Sequence, residues 1–343
     1  MTALDPIALS AALDQFARRH WGTGARVRES APMAGGHAGL TYSLSIEPAP
    51  GAPLIEFVLR LAPPGVRRQG NTDVFRQAEL LRVLHAAGLP VPGVPFAEPG
   101  EDTLGTPFIM MERLSGRSFF IWSPDRLFDL ADAAVAPLWL QAAVALADVH
   151  QFDWRARLEH WEAPRALAEA VSRWDPVLAK SPEPAWIVRG RALADRLLAT
   201  LPPSRFIGVV HGDFQPGNVL FHDGRLSGIV DWELAGIADQ MLDLGWLMMM
   251  GDRQSWHPDW MPAAPLAPEA LAARYAAGTG RPLAHLAWYR AWAGYSFAAI
   301  SCMNLYLHRS GRRVDPAWER FALAIPALFA RAEALLAHDA GQP

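Results

Sequence analysis

The chain is poor in cysteine: its 343 residues contain one, Cys302. A single thiol can form neither a disulfide nor a cysteine-based zinc site within one chain. Its setting, the apolar run "YSFAAISCMNLYL", makes it a small core residue. An excess of one charge is also missing, since 31 Lys and Arg stand against 35 Asp and Glu for a net charge of -4. That balance gives no electrostatic footprint for nucleic acid or for an anionic membrane surface, and small molecules become the expected partners. The N-terminal stretch "MTALDPIALSAALDQFARRHW" carries acids early and lacks a basic segment followed by an apolar one, which points to a reducing, cytoplasmic setting. Long uninterrupted apolar runs are scarce. Ala291 to Leu307 is uncharged, but it is short for a bilayer span and diluted by Gly294, Ser296, Ser301 and Asn304. It is expected to be a buried core helix, not a membrane segment. There is no G-x-S-x-G elbow, no H-E-x-x-H helix, no Walker A loop and no solenoid repeat.

What is present is enough apolar material, 51% of the chain with 19% charged, for an ordinary globular protein. At this length two lobes with a cleft are expected in place of one core. Apolar spacing predicts a helix over roughly Asp5 to Arg19, through Leu9, Ala12, Leu13 and Phe16. "GGHAGLTYSLSI" reads as a glycine turn entering a hairpin, "LIEFVLRLA" as a strand, "TDVFRQAELLRVLHAAGLPVP" as a helix closed by Gly88 and Pro90, and "TPFIMMERLSG" as a buried strand. Beyond Gly116 long helical segments dominate, interrupted by the short strands "FIGVVHGD", "VLFHDG" and "LSGIVDWE". The expectation is an α+β fold with a small N-terminal sheet lobe over 1–113 and a larger, mainly helical C-terminal lobe over 114–343.

The stretch "HGDFQPGNVLFHDGRLSGIVDWE", from His211 to Glu233, places Asp213, Asn218 and Asp231 on polar turns at strand ends, where loops commonly carry catalytic groups. Phosphoryl transfer needs a group to orient the nucleophile or take its proton, together with oxygen ligands for magnesium. Asp213 suits the first task. Asn218 and Asp231 offer a hard amide oxygen and a hard carboxylate for the second. A competing set, His211, Asp213, His222 and Asp223, could serve a metal-dependent hydrolase. Against it, "FHDG" reads as a hairpin turn and no paired-histidine helix accompanies it.

"HGDFQPGN" followed by "IVDWE" resembles the catalytic and metal-binding loops of the aminoglycoside phosphotransferase and choline kinase family, which is similar in fold to protein kinases. The likeness extends through "LPVP", "LADVHQFDW" and "ARYAAGTGR", and is greatest to the subgroup related to the kinase-like domains of acyl-CoA dehydrogenase fusions. It implies a bilobal protein kinase-like fold that binds ATP with Mg2+ and phosphorylates a hydroxyl of a small molecule. Asp213 would be the base or orienting carboxylate, and Asn218 and Asp231 the magnesium ligands. Gly35 and Gly36 would let backbone amides approach the triphosphate. Arg60 occupies the position of the family lysine on the phosphates, with Glu79 as its ion-pair partner, although a guanidinium is not a geometric copy of an ammonium. Met111 falls at the gatekeeper-like position, with backbone groups of Glu112 and Leu114 expected at the adenine edge. Asp243, in "MLDLGWL", would cap amides of the "HGD" loop. Trp232 follows Asp231 where protein kinases carry phenylalanine, and no activation segment follows, so small acceptors are favoured over proteins. The acceptor stays open among a hydroxyacyl thioester, an amino alcohol, a sugar and an aminoglycoside. Trp288, Trp292 and Tyr295 suit a helical core or an aromatic wall, and Asp252, Arg253, His257 and Asp259 form a mixed-charge loop unlike an acidic pocket for a polycation. A nucleotide-binding pseudokinase acting as a sensor or scaffold is the alternative, favoured only by Arg60.

Overall fold

A computed structural model describes residues 5–33 and 40–339. They form two compact units: the chain up to Ser115 together with Gly228–Leu234, and Gly116–Ser227 together with the chain from Ala235 onward. The segment 228–234, which a single cut after residue 113 would leave in the C-terminal lobe, packs with the first unit.

The first unit opens with α1 (Pro6–Trp21), which is capped by Asp5 accepting from the Ile7 amide at 3.0 Å and ends at Gly22 with φ 97°. A side-chain acceptor satisfies one orphan amide at the start, and a residue without Cβ takes the positive φ at the end. Leu9, Leu13, Phe16 and Ala17 form its buried stripe. Strands β1 (Arg26–Pro32), β2 (Leu40–Glu47) and β3 (Ile55–Leu61) follow, then α2 (Gln77–Ala86), β4 (Phe96–Glu98) and β5 (Phe108–Glu112). All the pairings are antiparallel in the order β1-β2-β3-β5-β4. Leu44, Ile46, Leu59, Leu61, Phe108 and Met110 join the α1 stripe in one core. The expected helices and strands are present, and β1 and β4 are added to them. β1 has only two half-buried positions in its seven residues, so it shows no apolar alternation from which a strand could be read.

The second unit begins with β6 (Arg117–Ser118) and the long helix α3 (Asp132–Gln151), then the shorter α4 (Arg155–Leu158), α5 (Leu167–Ser172), α6 (Asp175–Leu178) and the longer α7 (Pro184–Ala199). Strands β7 (Ile207–Val210), β8 (Val219–His222), β9 (Arg225–Ile229) and β10 (Gly236–Asp239) carry the polar turns. They precede α8 (Met241–Gly251), α9 (Pro268–Thr279), α10 (Leu286–Arg309), α11 (Ala317–Phe321) and α12 (Ile325–Asp339). Asp223 and Gly224 both have positive φ, 48° and 73°, the conformation of a tight two-residue hairpin turn, as "FHDG" led us to expect. All eleven residues of α8 are buried, with α9 and α10 packed against it and α12 against α10. Two helical stretches, Asp132–Gln151 and Ala317–His338, are long and apolar enough to cross a membrane; here they pack in this unit, with 56% and 44% of their apolar windows buried. Cys302 is buried in α10, and burial pushes its thiol up to about 11.

Close packing of α8 on α10 depends on Gly245, where an added Cβ would stand 2.6 Å from the Tyr289 carbonyl oxygen. Backbone cannot yield as a flexible side chain does. Gly245→Ala should therefore cost about 1–3 kcal/mol, read as a lower midpoint in denaturant unfolding of the full chain.

Candidate active site

In the second unit β7 delivers the chain to His211, whose side chain is buried, and to Gly212 at φ 86°, a backbone setting that favours glycine. Asp243, near the start of α8, clamps this turn: its carboxylate accepts from the His211 amide at 2.6 Å and the Gly212 amide at 2.9 Å. The capping role expected of Asp243 is therefore met. The same carboxylate faces His150 Nε2 at 3.4 Å, and His150 Nδ1 lies 2.8 Å from the Tyr275 hydroxyl. A carboxylate can only accept, so Nε2 carries the ring proton and Nδ1 accepts from Tyr275. Burial holds His150 below its ordinary range and raises Tyr275 to about 12, which keeps the ring neutral and the phenol protonated. Arg281 closes the network on the Gln240 Oε1 and the His150 carbonyl, at 2.7 and 2.9 Å.

Beyond the clamp, Asp213 Oδ1 accepts from Gln215 Nε2 at 2.9 Å. Asn218 Nδ2 donates to the Asp213 carbonyl at 2.9 Å and to its Oδ2 at 3.0 Å. The structure thus brings Asp213 and Asn218 together. With its amide nitrogen committed, Asn218 keeps Oδ1 as an acceptor, a donor atom of the kind magnesium takes.

Asp231 lies in the first unit, on the segment 228–234. It is a non-glycine residue at φ 65°, a left-handed conformation that costs about 1–2 kcal/mol and calls for local contacts to hold it. Arg60 provides one, its NH1 donating to Asp231 Oδ1 at 2.9 Å while NH2 pairs with Glu233 Oε2. The Glu233 backbone carbonyl accepts from Arg76 at 2.8 Å. This corrects the expected partner of Arg60. Glu79 is exposed on α2, where Gln77, Ala78, Leu80 and Leu81 take the buried side of the turn, and Arg60 pairs with Glu233 and Asp231 instead. Burial and the adjacent Asp231 push the Glu233 carboxyl up to about 7, against the pull of Arg60 and Arg76.

At the expected adenine edge, Met111 is half-buried opposite Val58. The Glu112 amide donates to the Gly93 carbonyl at 2.9 Å and is thereby occupied, whereas Leu114 makes no backbone hydrogen bond among the described residues. Gly35 and Gly36 lie outside the described residues. The hydrolase set does not converge: the His211 side chain is buried, while His222 and Asp223 form an exposed pair on the β8–β9 hairpin at 3.6 Å. Among the described residues no three His, Cys, Asp or Glu side chains gather as a metal site. Trp288 and Trp292 are core residues whose indoles donate to the Leu197 and Ala170 carbonyls, and Tyr295 is fully buried. Sequence reasoning missed His150, Gln215 and Glu233. Each stood inside a quoted motif, and the available signal was a polar side chain set among apolar or turn-forming neighbours.

Residues 30–292 match the family model described as "Phosphotransferase enzyme family". The chain belongs to this family. The Arabidopsis thaliana protein named "Probable acyl-CoA dehydrogenase IBR3" is 31% identical over 62% of this chain, which spans 27% of that protein's length. Among solved structures, a Ralstonia eutropha protein named as a candidate aminoglycoside phosphotransferase superposes with a TM-score of 0.73 at 21% identity, over 94% of this chain and 98% of the other. A mutant aminoglycoside phosphotransferase APH(4)-Ia, crystallised with ADP and hygromycin B, gives 0.59 at 17% identity, over 96% of this chain and all of the other. The fold of this family member is kinase-like, with its five-stranded sheet in the first unit and a mainly helical second unit.

Two predictions follow from the Arg60 pairing. Glu233→Gln, which takes a carboxylate from the buried Arg60, should lower stability by about 1–3 kcal/mol, while Glu79→Gln leaves it unchanged; urea unfolding of both variants decides this. Because the Glu233 pKa in the folded chain, about 7, lies above its ordinary 4.5, the folded state holds that proton more tightly than the unfolded one. The resulting stability is present below about 4.5 and lost as pH rises through about 7. Urea midpoints between these limits should fall with pH in the wild type and lose this component of the slope in Glu233→Gln.

Proposed function

We propose that this chain transfers the γ-phosphate of ATP to a hydroxyl of a small molecule. The observation that carries the reading is the Asp213 carboxylate, held by Gln215 and Asn218 on a backbone turn clamped by Asp243. A carboxylate fixed this way can orient the acceptor hydroxyl and take its proton as the oxygen bonds to phosphorus and ADP departs. Asn218 Oδ1 and Asp231 would hold Mg2+, which when bound offsets the charge of the phosphates. Arg60, steadied by Glu233, would contact the same phosphates, with backbone amides at Gly35 and Gly36 approaching them and the adenine lying along Met111 to Leu114. The ADP and hygromycin B found together in the similar APH(4)-Ia structure support a nucleotide paired with a small acceptor. The reading places the chain in the cytoplasm, with neither nucleic acid nor membrane as partner.

A second reading, a nucleotide-binding sensor without turnover, draws on Arg60 occupying the Asp231 carboxylate. The two part on one experiment: ATP-dependent phosphorylation of a pooled library of small hydroxyl compounds, read by mass spectrometry. The wild type should add one phosphate to a compound, and Asp213→Ala should lower that rate by about 10²–10⁴ while still binding MgATP. Asp231→Ala should remove the magnesium-dependent part of nucleotide affinity, measured by calorimetry with and without the metal. MgATP binding with no transfer to any compound would favour the sensor.

A further inference from the structure

In the first unit the proposed metal ligand Asp231 is already in contact with a cation. The Arg60 guanidinium donates through one terminal nitrogen to Asp231 Oδ1 at 2.9 Å and pairs through the other with Glu233 Oε2, so one side chain bridges two carboxylates. Of the three groups Asp231 is the one open to solvent, at 32% side-chain exposure against 6% for Arg60 and 12% for Glu233. An incoming ligand therefore meets Asp231 first, with the guanidinium behind its carboxylate. An oxygen held in this way is a poor ligand for a dication. Either the hydrogen bond is given up or two cations crowd one carboxylate.

The segment that carries Asp231 does not depend on Arg60 for its place. The Ile229 amide donates to the Pro90 carbonyl at 2.7 Å, and the Trp232 indole donates to the Ile229 carbonyl at 3.0 Å. The Arg76 guanidinium ties the Glu233 carbonyl, at 2.8 Å, to that of Gly70, at 2.9 Å. Leu114 packs on Gly228, where an added Cβ would collide with its side chain. Arg60 can thus leave the Asp231 carboxylate without releasing the turn. Its guanidinium also has donors to spare: it carries N–H groups on all three nitrogens, and Nε is buried with no partner among the described residues. A polyphosphate supplies anionic oxygens that suit such a fork, while Glu233 keeps hold of one side of it.

We infer that Arg60 closes the Asp231 carboxylate to metal ions until a polyphosphate draws the guanidinium away, so that metal and nucleotide each raise the affinity of the other. The inference rests on the phosphotransferase reading for the identity of the two ligands, and on the geometry of the first unit alone for the closure. The coupling is reciprocal by thermodynamic necessity: the factor by which nucleotide tightens the metal is the factor by which metal tightens the nucleotide. A lysine at this position would hold the two carboxylates with less geometric definition, which makes the closure a property of the arginine.

The test measures Mn2+ binding to the full chain by the loss of the free-ion signal in electron paramagnetic resonance, with Mn2+ alone and with AMP-PNP. The double variant Arg60→Gln/Glu233→Gln removes the buried cation together with one of its two carboxylates, which limits the charge left unpaired, and a cooperative urea transition checks that it folds. Expected are weak uptake of Mn2+ alone by the wild type, tightened by AMP-PNP, and uptake of Mn2+ alone at least about fivefold tighter in the double variant. That gain should vanish when Asp231→Asn is added. Wild-type binding of Mn2+ as tight without AMP-PNP as with it would overturn the inference whatever the variants do. So would a gain below about fivefold in the double variant, or one that survives Asp231→Asn. The expected Mn2+ pattern with no phosphate transferred to any compound of the pooled library would uphold the closure and overturn the phosphotransferase reading. Transfer with Mn2+ binding indifferent to Arg60 would overturn the closure alone, so the two fail separately.

Discussion

The second unit depends on one buried carboxylate. Asp243 is 1% exposed, and an ionised group so far from water is tolerable only if its lone pairs are occupied. Two backbone amides of the turn that carries Asp213 and the His150 ring supply those partners. Hydrogen bonds to a charged acceptor are worth about 1.5–3 kcal/mol each, enough to fix the turn that carries Asp213. Three helices must meet for this to happen: α8 brings the carboxylate, α3 the imidazole and α9 the phenol. Apolar packing therefore sets the position of a polar loop, and the loop's amides in turn satisfy a charge that the core could not otherwise hold.

The first unit solves a related problem with opposite signs. Arg60 is 5% exposed on β3 and needs anionic partners. It finds them on the segment 228–234, whose Asp231 adopts a left-handed backbone. The guanidinium fork reaches two carboxylates at once, which an ammonium of similar reach does with less geometric definition. That difference accounts for the shift of partner away from Glu79: the fork is filled by Glu233 and Asp231, and the α2 glutamate is left to solvent. The arrangement also explains why 228–234 packs with the sheet of the first unit although the chain on both sides of it belongs to the second.

Much of this architecture was legible in the sequence. Apolar spacing located α1, α2 and the long helices, and "HDG" announced its hairpin because Asp-Gly accepts the positive φ that a tight turn requires. β1 was not legible because its burial is too sparse to leave an alternating pattern. The spacing of Asp213 and Asn218 was legible for a comparable reason, since a five-residue loop closed by Pro and Gly brings the two side chains together locally.

The sequence by itself determined which chemical groups are offered at strand ends: a carboxylate, an amide oxygen and a second carboxylate, each in a turn that its neighbours dictate. Tertiary structure alone decided which partners those groups have. Arg60 meets Asp231 and Glu233 across 171 and 173 residues of chain, and Phe120 meets Gly217 from a distant segment. Local geometry is encoded by adjacent residues through steric and turn preferences. Pairings over such separations are selected by the burial of the whole core and by the need of each buried charge for a counter-charge, and neither is visible until the chain has folded.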